Sequence, residues 1–280
     1  MKIAYTADLH GSGAAYRHLF NAALRFRADA IIMGGDLLPY GGSSLENSPR
    51  SQRRYILTAL RARLRELKKV APDVVVCLIL GNEDWAGGMG ALERLESEDL
   101  CRVAHMKCVK LRAGFDLIGY SCVPPTPYSI QDWERRDRVA DAPPPTKFDA
   151  CVSEGTRMVR IDSVEYFNGQ FSIEDDLAKL PTPRNGKKAV YVTHAPPYGT
   201  NCDVMYDLTH VGSKSIRALI ERTQPTLTLH GHIHESPSLT GHWFDHVGAT
   251  MCINVGKDGT GPKAALFKIG ESGVDAYELL

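Results

Sequence analysis

The sequence predicts an α/β fold built on a largely parallel sheet covered on both faces. Three observations predict it. Short apolar runs at residues 2–7, 30–33 and 74–80 read as buried strands. Helical periodicity fills the gaps between them. Each run ends in a polar tip: Asp8-Leu9-His10-Gly11, Gly34-Gly35-Asp36 and Gly81-Asn82-Glu83-Asp84. Strands alternating with helices build sheets covered by helices. Polar residues at the carboxyl ends of such strands are where these sheets bind ligands.

The elements follow in order. After the first strand, residues 14–27 carry Ala15, Leu19, Ala22, Ala23 and Phe26 at helical spacing. Residues 40–50 are rich in Gly and Ser and read as a loop. Residues 53–70 form an amphipathic helix with Ile56, Leu57, Leu60, Leu64, Leu67 and Val70 on one stripe and a basic, solvated face opposite. A helix near 91–98 and a strand at 115–120 come next. Residues 121–186 are proline-rich and read as irregular surface structure with short helices. A stretch this long suits a lid or insertion within a single domain spanning 1–280, a bare linker being the other reading.

Residues 189–193 form a strand leading into His194-Ala195-Pro196-Pro197-Tyr198. Residues 213–223 form a helix with Ser213 as N-cap and Ile216, Leu219 and Ile220 as its apolar stripe. Residues 227–229 then lead into His230-Gly231-His232-Ile233-His234-Glu235. Histidines two apart on an extended segment point the same way, as metal ligands do. Gly231 lets the backbone bend or approach a neighbour closely. Strands near 251–254, 263–268 and 275–280 follow at short intervals and suggest an antiparallel run.

Composition narrows the function classes. The 280 residues carry 33 basic and 33 acidic side chains, so no general charge draws the chain to nucleic acid or anionic membrane. Long nucleic acid is disfavoured, not excluded. The seven cysteines are scattered with no C-x-x-C pair, as expected of reduced thiols in the cytoplasm. The first residues hold no signal-type apolar region, and no run approaches the ~18 residues of a membrane span. Oligomeric state is left open.

Asp8, His10, Asp36, Asn82, His194, His232 and His234 share one kind of position, the end of an apolar strand beside a glycine or proline. Each has an ordinary reading on its own: Asp8 as a helix cap, Asn82 as a turn residue, His194 as a core histidine. Together they suit one site. No cysteine is among them, which argues against a structural zinc cage. Carboxylate, amide and imidazole donors suit Mn, Fe, Ni or Zn. Seven donors exceed one ion and suit two sharing a carboxylate, roughly 3.5–4 Å apart.

Asp8-x-His10, Gly35-Asp36, Gly81-Asn82-x-Asp84, His194 and Gly231-His232-x-His234 together resemble the five signature blocks of the calcineurin-like metallophosphoesterases, in family order. The later blocks are also similar to a subgroup of small bacterial phosphoesterases. The resemblance implies a βαβ sandwich, two mixed sheets face to face with helices outside. It implies two divalent transition-metal ions, manganese first, with Fe, Ni or Zn as alternatives. Asp8, His10, Asp36 and His234 would hold one; Asp36 as bridge, Asn82, His194 and His232 the other. A hydroxide shared by two cations would attack a small phosphate ester in line, with no covalent enzyme intermediate.

The chain departs from the pattern at Glu83, where many members carry a histidine as candidate general acid. Glu83 could be a protonated donor or do no proton work; the departure favours diesters over monoesters. Glu83, Asp84 and His194 are the catalytic expectation. Tyr128, Trp133, Arg135, Arg136 and His210 are the substrate-contact expectation: aromatics offer a stacking face and arginine a fork for phosphate. The alternatives are a protein or nucleotide phosphomonoesterase, or a non-catalytic scaffold on the same fold.

Overall fold

The structure is a computed structural model and describes residues 1–40, 48–258 and 261–280. In chain order the strands are β1 (Lys2–Thr6), β2 (Ala30–Gly34), β3 (Val75–Ile79), β4 (Arg102–Val103), β5 (Cys108–Lys110), β6 (Asp116–Tyr120), β7 (Cys151–Glu154), β8 (Arg157–Arg160), β9 (Ala189–Thr193), β10 (Leu227–His230), β11 (Phe244–Val247), β12 (Thr250–Asn254), β13 (Lys257–Asp258), β14 (Gly261–Pro262), β15 (Ala265–Gly270) and β16 (Gly273–Leu279). The α-helices are α1 (Gly13–Phe26), α2 (Pro49–Tyr55), α3 (Arg61–Val70), α4 (Met89–Ser97), α5 (Ser163–Gly169), α6 (Ile173–Leu177), α7 (Lys214–Thr223) and α8 (Ser236–Thr240).

The strands form two six-stranded sheets, ordered β16-β15-β1-β2-β3-β4 and β11-β12-β10-β9-β6-β5. Both are mixed. The centres are parallel, as in Ile3 opposite Ala30 and Leu227 opposite Val190, and the outer pairs β15–β16 and β11–β12 are antiparallel. Alternation sorts the side chains. Ile3, Tyr5, Ile32, Cys77 and Ile79 meet Leu117, Val190, Val192, Leu227 and Leu229 in one apolar layer between the sheets. Ala4, Ile31, Met33, Val76 and Leu78 point the other way, into the helix-covered layer. Strands buried on both faces explain why the sequence shows continuous apolar runs.

The antiparallel tail expected from 251–280 is only partly right. β12 pairs parallel to β10 in the second sheet, whereas β15 crosses to the first sheet and runs antiparallel to β1. The chain changes sheets there, and short strand spacing carries no mark of that. β11 lies outside the strands that the sequence pattern predicts.

The helix expected at 53–70 is continuous but contains a π-helical turn at Ile56–Leu60. Ile56, Leu60, Leu64 and Leu67 are buried, each contributing roughly 1.5–3 kcal/mol. Val70 is 67% exposed and lies outside the stripe. Ser213 caps α7 as expected, accepting from the Ile216 N–H at 2.9 Å. Ser12, not Asp8, caps α1. Most of the loop expected at 40–50, residues 41–47, lies outside the described residues. Residues 121–186 are more regular than expected: they hold the β7–β8 hairpin and helices α5 and α6. Among the described residues no helix is long and apolar enough to cross a membrane.

Candidate functional site

The carboxyl ends of β1, β2, β3, β9 and β10 converge. The exits of β1 and β2 are bonded to each other: Asp8 N–H donates to Gly35 O at 2.9 Å, and His10 N–H to Asp36 O at 2.8 Å. Glu83 N–H, after β3, donates to Asp36 Oδ1 at 2.8 Å. After β10, Gly231 N–H donates to His194 O at 3.1 Å and His232 N–H to Asp8 Oδ1 at 3.2 Å. Three of these bonds join backbone to backbone, and the other two tie one oxygen each of Asp36 and Asp8 to a neighbouring tip, which leaves their second oxygens facing a common space.

That convergence requires unusual backbone. Asp8 (φ 58°), His10 (φ 42°), Asp36 (φ 51°) and His232 (φ 68°) all sit in the left-handed region. They are four of the ten non-glycine residues there among those described. Such conformations cost about 1–3 kcal/mol each and persist where the surroundings over-determine them. Two glycines permit the approach. A Cβ on Gly81 would stand 2.3 Å from Asp36 Oδ1 and 2.5 Å from His194 Nε2, and one on Gly231 would stand 2.5 Å from the Ala7 Cβ.

The strand-based reason for pairing His232 with His234 is corrected. β10 stops at His230, and Ile233 N–H donates to Gly231 O at 2.8 Å, making His232 the centre of a tight γ-turn. The two rings therefore serve different neighbours. His232 lies 5.3 Å, centroid to centroid, from His194, and His234 lies 5.3 Å from His10. His230 is a core histidine, tied to the Thr193 Oγ1 at 2.9 Å and the Thr228 Oγ1 at 2.8 Å.

Donor atoms of Asp8, His10, Asp36 and His234 all lie within 4.8 Å of one another. Beside them, His194 Nε2 is 3.1 Å from Asn82 Oδ1 and 3.3 Å from Asp36 Oδ2. His194 Nδ1 donates to Gly34 O at 2.8 Å. A carbonyl only accepts, so Nδ1 carries a proton, and Nε2 is the atom that faces Asp36 and Asn82: it holds a proton between those oxygens in metal-free protein and would turn a lone pair to a cation that replaced it.

The donors fit metal ions. Asp8 Oδ2, His10 Nδ1 and His234 Nε2 are buried without a hydrogen-bond partner. His10 Nδ1 lies 3.0 Å from Glu83 Oε2 but in poor hydrogen-bond geometry. Buried polar atoms are normally satisfied, so orphans pointing at one place mark a ligand. Electrostatics agree. Burial disfavours the charged form of each group here. Against it, His194 and His10 hold Asp36 well below the usual carboxylate range, and His234 lowers Asp8. Against burial too, Asp36 and Asp8 raise His194 to about 9, while Glu83 and Asp36 raise His10 to about 9. Burial and the neighbouring His194 push His232 down to about 3. In metal-free protein, protons on imidazoles balance the buried carboxylates, and cations would replace them.

The sign follows. His10 and His194 have folded values near 9, above the ordinary 6.5. Their contribution to metal-free stability is fully present below about pH 6.5 and lost as pH rises through about 9. Urea denaturation of metal-stripped protein should show stability falling across that window, and Mn²⁺ added at pH 7.5 should release protons. A flat stability profile with no proton release would contradict this assignment.

The remaining expected residues divide. Glu83 and Tyr128 line a cavity beside the cluster, together with Asp36, Asn82, His232 and His234. Asp84 does not. It is fully buried and accepts from the N–H groups of Gly81 and Leu37, both at 3.0 Å, and of Leu38 at 2.8 Å. Its expected catalytic role is corrected: it clamps the β2 and β3 exits together. Burial and the nearby Asp36 push it up to about 7, against the pull of those three N–H groups.

Trp133, Arg135 and Arg136 are also corrected, because none of them lines the cavity. Trp133 is 6% exposed and packs edge-on against His105. Arg135 donates to Glu134 O at 2.7 Å and Arg136 to Asp141 O at 3.1 Å. They hold the 121–186 segment together. His210 Nδ1 sits 2.7 Å from Asp203 Oδ1, outside the cavity lining. Sequence reasoning missed the Pro124, Pro125 and Pro127 wall and Met205. The proline run was the available signal, since it stiffens the backbone just before Tyr128.

Two face-to-face mixed sheets, with an Asp/His cluster at the carboxyl ends of their parallel strands, define an α/β protein with a candidate metal centre of hydrolytic type. The profile of the calcineurin-like phosphoesterases matches residues 1–236, and the chain belongs to that family, whose chemistry is hydrolysis of phosphate esters. MJ1162, an uncharacterised protein of Methanocaldococcus jannaschii, is 42% identical over 76 residues, which is 25% of this chain and 32% of that protein. The match thus spans about a third of the relative's length. TT1561 of Thermus thermophilus superposes with a TM-score of 0.58 at 17% identity, covering 100% of this chain and 97% of that one. A dimetal phosphatase from Danio rerio superposes at 0.49 with 12% identity, covering 95% and 92%. The Thermus structure speaks to the fold alone.

Proposed function

We propose that this chain is a dinuclear metallophosphoesterase that prefers phosphodiesters, with manganese as the first choice of metal. One observation carries the reading. Asp36 belongs to both donor groups: it joins Asp8, His10 and His234 within 4.8 Å, and stands 3.3 Å from His194 beside Asn82. A carboxylate common to two donor sets is what a shared bridge between two ions needs. His232 completes the second set.

Cations bound there would acidify a water and neutralise charge on the phosphoryl oxygens. The chain's own residues do the rest. The Gly34 carbonyl fixes the His194 ring, and the Glu83 N–H fixes Asp36. Asp84 keeps the β2 and β3 exits in register. No Lys or Arg lines the cavity among the described residues, so phosphate has no protein cation to bind.

Glu83 is the one cavity carboxylate outside the donor sets that abuts His10. Burial and Asp36 push its carboxyl above the usual range, which suits a proton donor. With a carboxyl group where many relatives carry an imidazole, the site suits diesters better than monoesters. Metal analysis should find two ions per chain, and Mn²⁺ should support cleavage of bis-p-nitrophenyl phosphate. Less than one ion, or activity indifferent to chelators, would end this reading. Glu83→Gln should lower kcat on a poor-leaving-group alkyl diester about 10²-fold and leave the aryl diester nearly unchanged. Equal effects on both would remove Glu83 as the acid.

The chain reads as one domain over 1–280, because β15 and β16 complete the first sheet beside β1. All seven cysteines are free, which supports a reducing, cytoplasmic setting.

A further inference from the structure

The cavity beside the donor cluster has a second half that the hydrolytic reading leaves without a role. Its volume is about 180 Å³. Away from the metal donors its wall is Pro124, Pro125, Pro127, Tyr128, Met205 and Ile233. Apart from the metal-donor residues and the proton-bearing Glu83, the one ionisable carboxylate on it among the described residues is Glu235, and no Lys or Arg faces it. The arginines that could have offered a fork to anionic groups are turned into the 121–186 segment.

The wall is also held in place. Thr126 N–H donates to the buried Glu134 at 3.0 Å, and the Thr126 hydroxyl bonds the same carboxylate. Lys147 Nζ donates to Tyr128 O at 3.1 Å and lies 3.3 Å from Glu134 Oε2. Lys147 is thus paired behind the wall and presents no charge to the cavity. Three prolines add their own stiffness. A rigid apolar surface next to a reacting phosphorus suits a flat or aliphatic group. The Glu235 carboxylate on that wall disfavours a further anion seated beside it, because like charges repel where water is partly excluded.

We propose that this cavity seats one organic group of the substrate and selects phosphodiesters whose organic groups are apolar and carry no further negative charge. Nucleotide polyphosphates, phosphoproteins and long nucleic acids, all polyanionic, would be poor substrates. This rests on the phosphodiesterase reading above, which fixes where the phosphorus lies.

The test uses the full chain with Mn²⁺ and two diesters sharing one leaving group: phenyl p-nitrophenyl phosphate and 4-carboxyphenyl p-nitrophenyl phosphate. They differ by one charge on the seated group. The phenyl ester should have the higher kcat/KM by about tenfold or more, mostly through KM. Glu235→Lys should narrow that gap, and Tyr128→Ala should weaken the phenyl ester relative to methyl p-nitrophenyl phosphate. Equal kcat/KM for the charged and uncharged esters would overturn the selection and leave the hydrolytic reading standing. No cleavage of any diester by metal-loaded protein would overturn both. The unaltered protein supplies the decisive comparison, so the outcome does not depend on a variant folding.

Discussion

Asp36→Asn is expected to lower kcat/KM for an aryl phosphodiester by at least about 10³-fold, or roughly 4 kcal/mol of transition-state stabilisation. The change is nearly isosteric, so the fold should survive. The amide oxygen can still accept the Glu83 N–H that now reaches Asp36 Oδ1 at 2.8 Å. What is lost is a second anionic oxygen able to serve both donor sets. Metal content should fall from two ions toward one or none, measured by mass spectrometry on dialysed protein. Asp36 is buried against His194 and His10, so the neutral amide also removes the charge that holds those rings protonated in metal-free protein. Retained activity within tenfold and unchanged metal content would break the bridging assignment.

Asp84→Ala is expected to cost about 3–5 kcal/mol of stability, read as a lower urea midpoint at unchanged slope. Its carboxylate satisfies three backbone N–H groups in a fully buried place. Removing it strands those donors and unties the turn after β3 from the segment after β2. Asp84→Asn should cost less, because an amide oxygen can accept part of the set. Activity should fall in both variants in step with metal affinity, since Asp84 touches neither cavity nor donor atoms. A loss under about 1 kcal/mol for the alanine variant would show that water replaces the carboxylate there.

Much of this was legible in the chain. The apolar runs at 30–33 and 189–193 lie within β2 and β9, and the Ser213 cap of α7 falls where its side-chain chemistry requires. Strands buried on both faces announce themselves by unbroken apolar residues, and a cap by its local hydrogen bond. The seven candidate donors were singled out because each follows such a strand, and four of them, Asp8, His10, Asp36 and His234, bring donor atoms within 4.8 Å of one another. Errors arose where the deciding contact is distant in sequence. Trp133, Arg135 and Arg136 have the right chemistry for a substrate, but the 121–186 segment folds them onto itself. Asp84 has the right type for catalysis but meets backbone N–H groups 46 and 47 residues earlier. His232 and His234 were grouped on a strand period, where the structure has a γ-turn that sends the two rings to different neighbours.

By itself the sequence determined the central strands β1, β2, β3, β6 and β9, and which donor types stand just beyond the ends of β1, β2, β3 and β9. Periodicity and residue chemistry are local properties, and a single chain carries them openly. Only the tertiary structure decided that five strand ends meet, that Asp36 lies between the Asp8, His10 and His234 cluster and His194, and that the cavity wall is largely apolar. Those outcomes depend on left-handed backbone at Asp8, His10, Asp36 and His232, enforced by neighbours as far as 224 residues away, as in the His232 to Asp8 bond. No window of sequence contains both partners of such a contact, so no local pattern can encode where the side chain will point.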